Sequence, residues 1–170
     1  MRKEGETIPP FELPADDGTT FVFPTGKRAV IYFYPRDNTP GCTREAIEFT
    51  AQGAAFKKAG VTVCGVSKDS VKSHCGFRDK HSLSIKLLSD GDLAVHRAFG
   101  AFGEKTMYGK KVQGTVRSTF LVDGKGVVVR AWPSVKVDGH AEAVLRAASE
   151  GGAPSSKKPA AKKPAAKKTK

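Results

Sequence analysis

The sequence lacks any long apolar run. Its longest, residues 29–34, has six residues, whereas a helix that spans a bilayer needs about 20, so a membrane-spanning helix is excluded. The chain starts with Arg2 and Lys3, but acidic residues and Pro9-Pro10 follow, rather than the apolar stretch of a secretory signal. We therefore expect a cytoplasmic protein.

Cysteine is also scarce, with three residues in 170. A small, odd number argues against the disulfide framework of small secreted domains and for free thiols in a reducing compartment. The sequence has no Cys-x-x-Cys pair, so a dithiol exchange site is not expected. The three cysteines and four histidines show no spacing typical of zinc ligands. We expect no metal and no cofactor, and we interpret the histidines as surface or capping residues.

Acidic residues are absent from residues 151–170, which carry seven lysines. The whole chain has a net charge of +12, but residues 1–150 alone carry 22 basic and 17 acidic side chains, a net charge of +5. Low-complexity sequence without large apolar residues cannot form a core. We predict one domain over residues 1–150 and a disordered Lys/Ala/Pro-rich basic tail over 151–170. The tail either contacts DNA or another polyanion non-specifically or only aids solubility.

The sequence before the tail alternates between strand-like and helix-like patterns. Residues 29–34 form a continuous apolar run, typical of a central strand covered on both faces. Residues 40–58 repeat apolar side chains at helical spacing. The predicted strands cover residues 20–23, 29–34, 61–66, 86–88, 115–122 and 127–132, and the predicted helices cover 40–58, 70–81, 92–99 and 139–149. This order predicts an α/β fold with a central mixed sheet flanked by helices.

The link between the apolar strand and the first helix holds the most informative residues. Cys42 lies in the predicted first turn of the helix, where unpaired amides and the helix dipole favour an anion and hence a thiolate. The alternative for a helix cysteine is a small core residue, here packed with Ala46 and Phe49. The Thr-Pro-Gly sequence at 39–41 favours a reactive cysteine, because it supplies a hydroxyl, a rigid turn and close backbone approach beside the sulfur.

The pattern Pro35-x-x-x-Thr39-x-x-Cys42 resembles the active-site signature of the peroxiredoxins, in particular the bacterioferritin-comigratory protein or peroxiredoxin Q subfamily. The resemblance runs from about residue 5 to residue 149 and includes the Arg-Ser-Thr-Phe-Leu segment at 117–121. It implies a thioredoxin-like fold and a thiol peroxidase that reduces hydrogen peroxide and organic hydroperoxides. It also implies thioredoxin or a similar dithiol as reductant, and a monomer.

The same resemblance implies a role for each matching residue. Cys42 would be the peroxidatic cysteine, which attacks the peroxide as a thiolate and becomes a sulfenic acid. Thr39 would hold the peroxide, and Pro35 would shield the site from water. Arg117, expected on a strand at a sheet edge, would stabilise the thiolate and the departing oxygen. Glu45 is interpreted either as an ion-pair partner that orients Arg117 or as a solvated helix charge.

The resolving step has two interpretations, because Ile47 stands where many members of the subfamily carry a second cysteine. Cys64 is predicted in the middle of a strand, where burial makes a thiol inert. Cys75 is predicted on the flank of the 70–81 helix and is the candidate resolving cysteine. It would form a disulfide with Cys42 after local unfolding of the helix start. The alternative is a one-cysteine mechanism, in which an external thiol reduces the sulfenic acid.

Overall fold

The computed structural model describes residues 1–150, and the predicted tail at 151–170 lies outside the described residues. The strands are β1 (Phe11–Pro14), β2 (Thr20–Phe23), β3 (Arg28–Phe33), β4 (Val61–Ser67), β5 (Lys86–Ser89), β6 (Phe102–Met107), β7 (Lys110–Thr115), β8 (Ser118–Val122) and β9 (Val128–Trp132). The helices are α1 (Pro40–Ala51), α2 (Gly53–Lys58), α3 (Val71–His81), α4 (Ala94–Phe99) and α5 (His140–Ser149). None of these helices has the length and apolar character needed to span a bilayer.

Five strands form the central sheet, in the order β5-β4-β3-β8-β9. β3 runs parallel to β4 and antiparallel to β8, and β4 runs parallel to β5. The predicted α/β fold with a mixed sheet is therefore confirmed. Because β3 lies in the middle of the sheet, its carboxyl end is flanked by β4 and β8, and the loop that follows it lies at the edge where ligands bind in open α/β sheets.

The two faces of β3 support two separate cores, because successive side chains of a strand point to opposite faces. Val30 and Tyr32 pack with Phe49 of α1 on one face. Ile31 and Phe33 pack on the other face in a cluster that covers β1, β2 and α4. Burial of each large side chain contributes about 1.5–3 kcal/mol. Coverage of both faces explains why residues 29–34 are apolar without interruption.

Several predicted boundaries differ from the structure. The single helix predicted over 40–58 is two helices, because the chain turns at Gln52 and continues at Gly53, where a Cβ would lie 3.1 Å from the Ser84 hydroxyl. The helix predicted from residue 92 begins only at Ala94, because Leu93 has a left-handed φ of 64°. β1 and the β6–β7 hairpin were not predicted, since they are short or largely exposed and lack a clear apolar alternation.

The interpretation of the histidines as surface or capping residues is wrong for three of them. His74, His96 and His140 are all buried. In each of the three rings, one nitrogen lies within hydrogen-bond distance of a polar side chain. The partners are Asp37 for His74, Asp90 for His96 and Thr119 for His140. A hydrogen bond offsets the cost of removing a polar ring from water.

Arg28, at the start of β3, joins the ends of two helices. Its Nη1 donates to the carbonyl of Ala148 near the end of α5, and its Nη2 donates to the carbonyl of Ala59 after α2, both at 2.7 Å. The last carbonyls of a helix lack intrahelical partners and carry the negative end of its dipole, so a cation is stabilising there. Arg28 therefore fixes the two helix ends at the opposite end of the sheet from Cys42.

Candidate active site

Cys42 is the third residue of α1, directly beyond the carboxyl end of β3. The helix starts at Pro40. Proline has no backbone N–H that would need an acceptor, and its φ is already suited to the first helical position. The first intrahelical bond is donated by the Thr43 amide to the Thr39 carbonyl, at 2.8 Å. The amides of Gly41 and Cys42 thus lie in the turn where the helix supplies no acceptor, a setting that favours an anion at the sulfur.

Thr39 occupies the N-cap position of α1 but does not cap the helix. A threonine there ordinarily accepts a hydrogen bond from an amide of the first turn, yet this side chain makes no such bond. Its hydroxyl instead donates to the carbonyl of Arg36, at 2.9 Å. The hydroxyl oxygen therefore retains its capacity to accept a hydrogen bond from a ligand at the helix start.

Arg117 contacts the sulfur. Its Nη2 donates to Cys42 Sγ at 3.3 Å, and the cysteine is 1% exposed. A guanidinium only donates hydrogen bonds, so the sulfur is the acceptor in this contact. The expected place of Arg117, on a strand at a sheet edge, is wrong. The residue lies in the link between β7 and β8, because β8 begins only at Ser118, and β8 is an inner strand between β3 and β9.

Glu45 is the second partner of the guanidinium. Arg117 Nη1 donates to Glu45 Oε1 at 2.6 Å, and the carboxyl is buried one turn after Cys42. Of the two interpretations of Glu45, the structure supports the ion pair with Arg117 over the solvated charge. Burial raises the pKa of Glu45 to about 7, and the nearby Arg117 offsets only part of this effect. Oε2 of this carboxyl has no hydrogen-bond partner within residues 1–150.

Gly41 makes room for the guanidinium. A Cβ at this position would lie 3.2 Å from Arg117 Nη2, closer than an ordinary van der Waals contact. The absence of a side chain thus lets the guanidinium lie against the first turn of α1 and reach both Cys42 and Glu45. This agrees with the close backbone approach predicted from the Thr-Pro-Gly sequence.

His140 and Trp132 form part of the surroundings of the site on the side of α5. The two rings pack edge to face, with centroids 5.8 Å apart, and His140 Nε2 lies 2.7 Å from the Thr119 hydroxyl. Burial and the charge of Arg117 lower the pKa of His140 to about 4. The histidine is therefore neutral at pH 7 and adds no second positive charge beside Arg117.

Within residues 1–150, neither Pro35 nor Cys75 forms a hydrogen bond with Cys42. Pro35 is half-buried in the loop between β3 and α1. Cys75 lies half-buried on α3, and its Sγ donates to the carbonyl of Asp16 at 3.2 Å. It thus faces the segment after β1, whereas Ser73 and His74 of the same helix face the loop before α1. The structure brings together Cys42, Arg117 and Glu45, with Thr39 at the same helix start, but it does not bring Cys75 to them.

Asp37 was missed by the sequence analysis although it lies in the same loop. Its Oδ1 accepts from the Tyr34 hydroxyl at 2.6 Å, and its Oδ2 lies 2.7 Å from His74 Nδ1 and 2.8 Å from the Ser73 hydroxyl that donates to it. Its backbone amide donates to Asp69 Oδ2 at 2.8 Å. The only sequence signal was an acidic residue inside an otherwise tight loop, and its partner, His74, is 37 residues away.

A groove of about 470 Å³ adjoins the helix start. Pro40, Thr43 and the 44% exposed side chain of Ile47 line it on the α1 side, and Lys80 and His81 line it on the α3 side. Arg44 and Glu48 of α1 also line the groove, so its α1 side mixes apolar and charged side chains.

Comparison with known proteins identifies relatives that cover most of the chain. The model of the AhpC/TSA family matches residues 5–131. Peroxiredoxin Bcp of Xanthomonas campestris pv. campestris is 52% identical over 138 residues, which are 81% of this chain and 86% of that protein. Peroxiredoxin Bcp of Bacillus subtilis is 38% identical over 148 residues, 86% of this chain and 94% of the relative.

Solved structures show the same similarity in three dimensions. Peroxiredoxin Q of Xanthomonas campestris superimposes with a TM-score of 0.79 at 49% identity, over 84% of this chain and 91% of that structure. A second structure, of the bacterioferritin comigratory protein from the same organism, concerns its alkyl peroxide reduction activity and has a TM-score of 0.78 at 49% identity, covering 84% and 92% of the two chains. The expected thioredoxin-like fold is confirmed.

Proposed function

We propose that Cys42 is the peroxidatic residue of this chain, which belongs to the AhpC/TSA family and is a peroxiredoxin of the Bcp or peroxiredoxin Q type. Such proteins are thiol-dependent peroxidases, so the substrate is a peroxide and the electrons come from a thiol. The observation that carries the assignment to Cys42 is the guanidinium of Arg117, which donates one hydrogen bond to the sulfur and another to Glu45.

The proposed first step is a displacement at oxygen. The Cys42 thiolate attacks one peroxide oxygen, so that an S–O bond forms while the O–O bond breaks. The sulfur is oxidised to a sulfenic acid, and the departing oxygen takes a proton and leaves as water or an alcohol. Arg117 stabilises the thiolate before attack and the charge on the departing oxygen during it, because a preorganised cation in a dry site needs little rearrangement.

The other residues of the site have supporting roles in this proposal. The Thr39 hydroxyl accepts a hydrogen bond from the peroxide, and the amide of Cys42 donates to the same oxygens. Pro35, half-buried in the loop, shields the sulfur from water. Glu45 fixes the orientation of Arg117 through the 2.6 Å ion pair. Hydrogen peroxide and organic hydroperoxides are both proposed as substrates, since the side chains of Pro40 and Ile47 in the groove offer apolar contacts to an organic substituent.

The sulfenic acid is proposed to be resolved by Cys75. Its thiol would displace the hydroxyl of the sulfenic acid as water and form a Cys42–Cys75 disulfide, which thioredoxin or a similar dithiol would reduce. Because Cys75 faces Asp16 and not Cys42, this step requires local unfolding of the start of α1 and of the Cys75 segment of α3. The same orientation supports the alternative, in which an external thiol resolves Cys42 directly.

Peroxide consumption by the wild type, Cys42→Ser and Cys75→Ser, coupled to a thioredoxin system, tests both halves of the proposal. Loss of turnover in Cys42→Ser is expected. Loss in Cys75→Ser as well, with a Cys42–Cys75 peptide found after peroxide treatment without reductant, supports the internal disulfide. Full turnover of Cys75→Ser supports external resolution. Unchanged turnover of Cys42→Ser would exclude Cys42 as the peroxidatic residue.

The basic residues 151–170 support a second proposed function, non-specific contact with DNA or another polyanion. Seven lysines without an acidic neighbour neutralise phosphates with a strong salt dependence. We propose residues 1–150 as the peroxidase domain, with a cytoplasmic location and a monomeric state. Deletion of 151–170 should leave peroxidase turnover intact and abolish retention on DNA at low salt. Retention that survives the deletion would exclude the tether.

A further inference from the structure

The side chains of Asp37 and His74 form a buried hydrogen-bonded pair that joins two elements of the site. His74 is 0% exposed, and its Nε2 lies 2.9 Å from the carbonyl of Leu88, which only accepts hydrogen bonds. Nε2 therefore carries a proton and donates it. Nδ1 faces the carboxyl of Asp37 at 2.7 Å, so the remaining question is which of these two groups holds the proton between them.

The surroundings of Asp37 favour the carboxylate form of its side chain. Burial acts to raise the pKa of Asp37, but the hydrogen bonds from His74, Tyr34 and Ser73 outweigh it, and the pKa lies below the ordinary value. Tyr34 remains a phenol, because burial raises its pKa well above the ordinary value, so its hydroxyl donates to Asp37. The carboxylate that faces Nδ1 and the carbonyl that faces Nε2 are both hydrogen-bond acceptors, so the contacts of His74 match a ring with a proton on each nitrogen.

The pair fixes the conformation of the loop that carries Thr39. Asp37 is held by the end of β3 through Tyr34, by the β4–α3 link through Asp69, and by α3 through His74. Between Asp37 and Thr39 lies Asn38, with a left-handed φ of 63°. Such a turn costs conformational energy even for asparagine, and it persists where the surrounding contacts determine it.

A second buried Asp–His pair in the same molecule joins residues that are close in sequence. His96 is also 0% exposed, and its Nδ1 lies 2.6 Å from Asp90 Oδ2. Asp90 additionally accepts from the amides of Val95 and His96, so it caps α4 six residues away. Within residues 1–150, His96 Nε2 has no hydrogen-bond partner. This pair is local and packs on the other face of the sheet beside Phe33. Within residues 1–150, its side-chain hydrogen bonds do not reach the loop before α1.

We propose that Asp37 and His74 are positioning residues for the peroxidase reaction, and that their ionic pair locks the Thr39 loop against α3 while Cys42 reacts and releases it when Cys42 leaves its pocket. The inference rests on the proposed role of Cys42. Weakening the pair should then act in opposite directions on the two half-reactions. Oxidation of Cys42 slows because Thr39 and the helix start are less well placed, and reaction of its sulfenic acid with a thiol accelerates because the open state is more populated.

The test uses Asp37→Asn and Asp90→Asn in the full chain carrying Cys75→Ser, so that only an added thiol resolves Cys42. At position 37, asparagine keeps the shape of the carboxyl and its amide can donate to a neutral His74, so it removes the charge and little else. At position 90, the asparagine NH2 faces the backbone N–H of Val95 or of His96, which only donate hydrogen bonds, so urea unfolding must show that this control variant is folded under the assay conditions. Oxidation of Cys42 by hydrogen peroxide is followed by rapid quenching, alkylation and mass spectrometry. Capture of the sulfenic acid by 2-mercaptoethanol, which forms a mixed disulfide and water, is followed in the same way.

Asp37→Asn is expected to slow oxidation about tenfold, because a hydrogen bond to a charged group is roughly twice as strong as a neutral one, and to accelerate capture. Asp90→Asn should change neither rate beyond about twofold, although the two variants remove equivalent charges. Slowing of both steps by Asp37→Asn, or equal behaviour of the two variants, overturns the proposal. Failure of peroxide to oxidise Cys42 in the parent chain would instead overturn the proposed function.

A spectroscopic measurement tests the charge independently of activity. In protein labelled with ¹⁵N-histidine, the ring nitrogens of His74 should show imidazolium shifts at pH 7, and Asp37→Asn should convert them to those of a neutral ring. His74→Gln assigns the resonances. Neutral shifts for His74 in the parent chain would exclude an ionic pair and overturn the proposal.

Discussion

Cys42 and Cys64 have nearly the same burial but different surroundings. Cys42 is 1% exposed and Cys64 is 0% exposed. Burial raises the pKa of Cys64 to about 12, since the thiol lies in the middle of β4 in an apolar cluster. Cys42 also belongs to an apolar cluster, with Ala46 and Phe49, but it lies in the first turn of a helix and accepts a hydrogen bond from a guanidinium. The difference shows that the groups pointing at a buried sulfur, and not its exposure, decide whether it can serve as a nucleophile.

The largest expected effect comes from replacing each of the two cysteines in turn. Cys42→Ser should abolish peroxide consumption, because an alcohol is not ionised at neutral pH and cannot form a sulfenic acid. Cys64→Ala should retain turnover within about twofold and cost roughly 1 kcal/mol of stability, through the small cavity left in the core. Peroxide consumption and urea unfolding of the two variants measure these effects. Loss of turnover in Cys64→Ala without a matching loss of stability would contradict the comparison.

Removing the guanidinium should make Cys42 behave like Cys64. Arg117→Met keeps much of the side-chain volume but lacks the charge, and we expect Cys42 oxidation to slow by roughly 10²- to 10³-fold, the usual cost of losing one preorganised donor. Stopped-flow oxidation by hydrogen peroxide measures the rate. Arg146→Met, which changes an exposed arginine on α5 that pairs with Glu142 at 3.4 Å, serves as the control. Equal rates in the two variants would show that Arg117 is dispensable.

The carboxyl of Glu45 gives the Cys42 pocket a pH dependence that the Cys64 site lacks. Its pKa of about 7 lies above the value of 4.5 in an unfolded chain, so between these values the folded state holds a proton that the unfolded state releases. Stability from this group is complete below pH 4.5 and is lost as the pH rises through 7. Between pH 5 and pH 8, the wild type should lose up to about 3 kcal/mol relative to Glu45→Gln, measured by urea unfolding. Parallel stability curves would contradict the raised pKa.

A smaller change to the same pocket tests the close approach of Arg117. Gly41→Ala places a Cβ within 3.2 Å of Arg117 Nη2, so the guanidinium must move by a few tenths of an ångström. We expect oxidation of Cys42 to slow by roughly threefold to tenfold, since a displacement of 1 Å can cost about 100-fold. Gly76→Ala is the matched control, because no atom lies within 4 Å of its Cβ position. An unchanged rate in Gly41→Ala would show that the guanidinium tolerates the shift.

The sequence allowed the sheet and the reactive helix to be predicted, because both depend on local patterns. The apolar run of 29–34 indicates a strand covered on both faces, and its exit into Thr-Pro-Gly-Cys indicates a helix start with a cysteine in its first turn. The resemblance to peroxiredoxins then supplied Arg117, whose position 75 residues after Cys42 no local pattern could relate to the sulfur. The sequence left two interpretations of Glu45 open for the same reason, because its ion-pair partner is Arg117.

The remaining features depend on contacts between distant segments. The burial of His74 requires Asp37 and Leu88, which come from a loop and a strand on either side of it in sequence. Helical periodicity placed Cys75 on a flank of α3, and the structure agrees, but the periodicity could not show that this flank meets Asp16. Such pairings follow from topology, which a single sequence does not encode in any short pattern.

The anchoring of α5 by Arg28 determines how the protein can be attached to a surface. α5 begins with His140 beside Trp132, and its end is held by Arg28 at the start of β3. Since β3 has six residues, the chain reaches Glu150 roughly 20 Å from the strand end that leads to Cys42. Anything joined to the chain after Glu150 therefore starts at the end of the sheet opposite Cys42, where its point of attachment does not cover the sulfur.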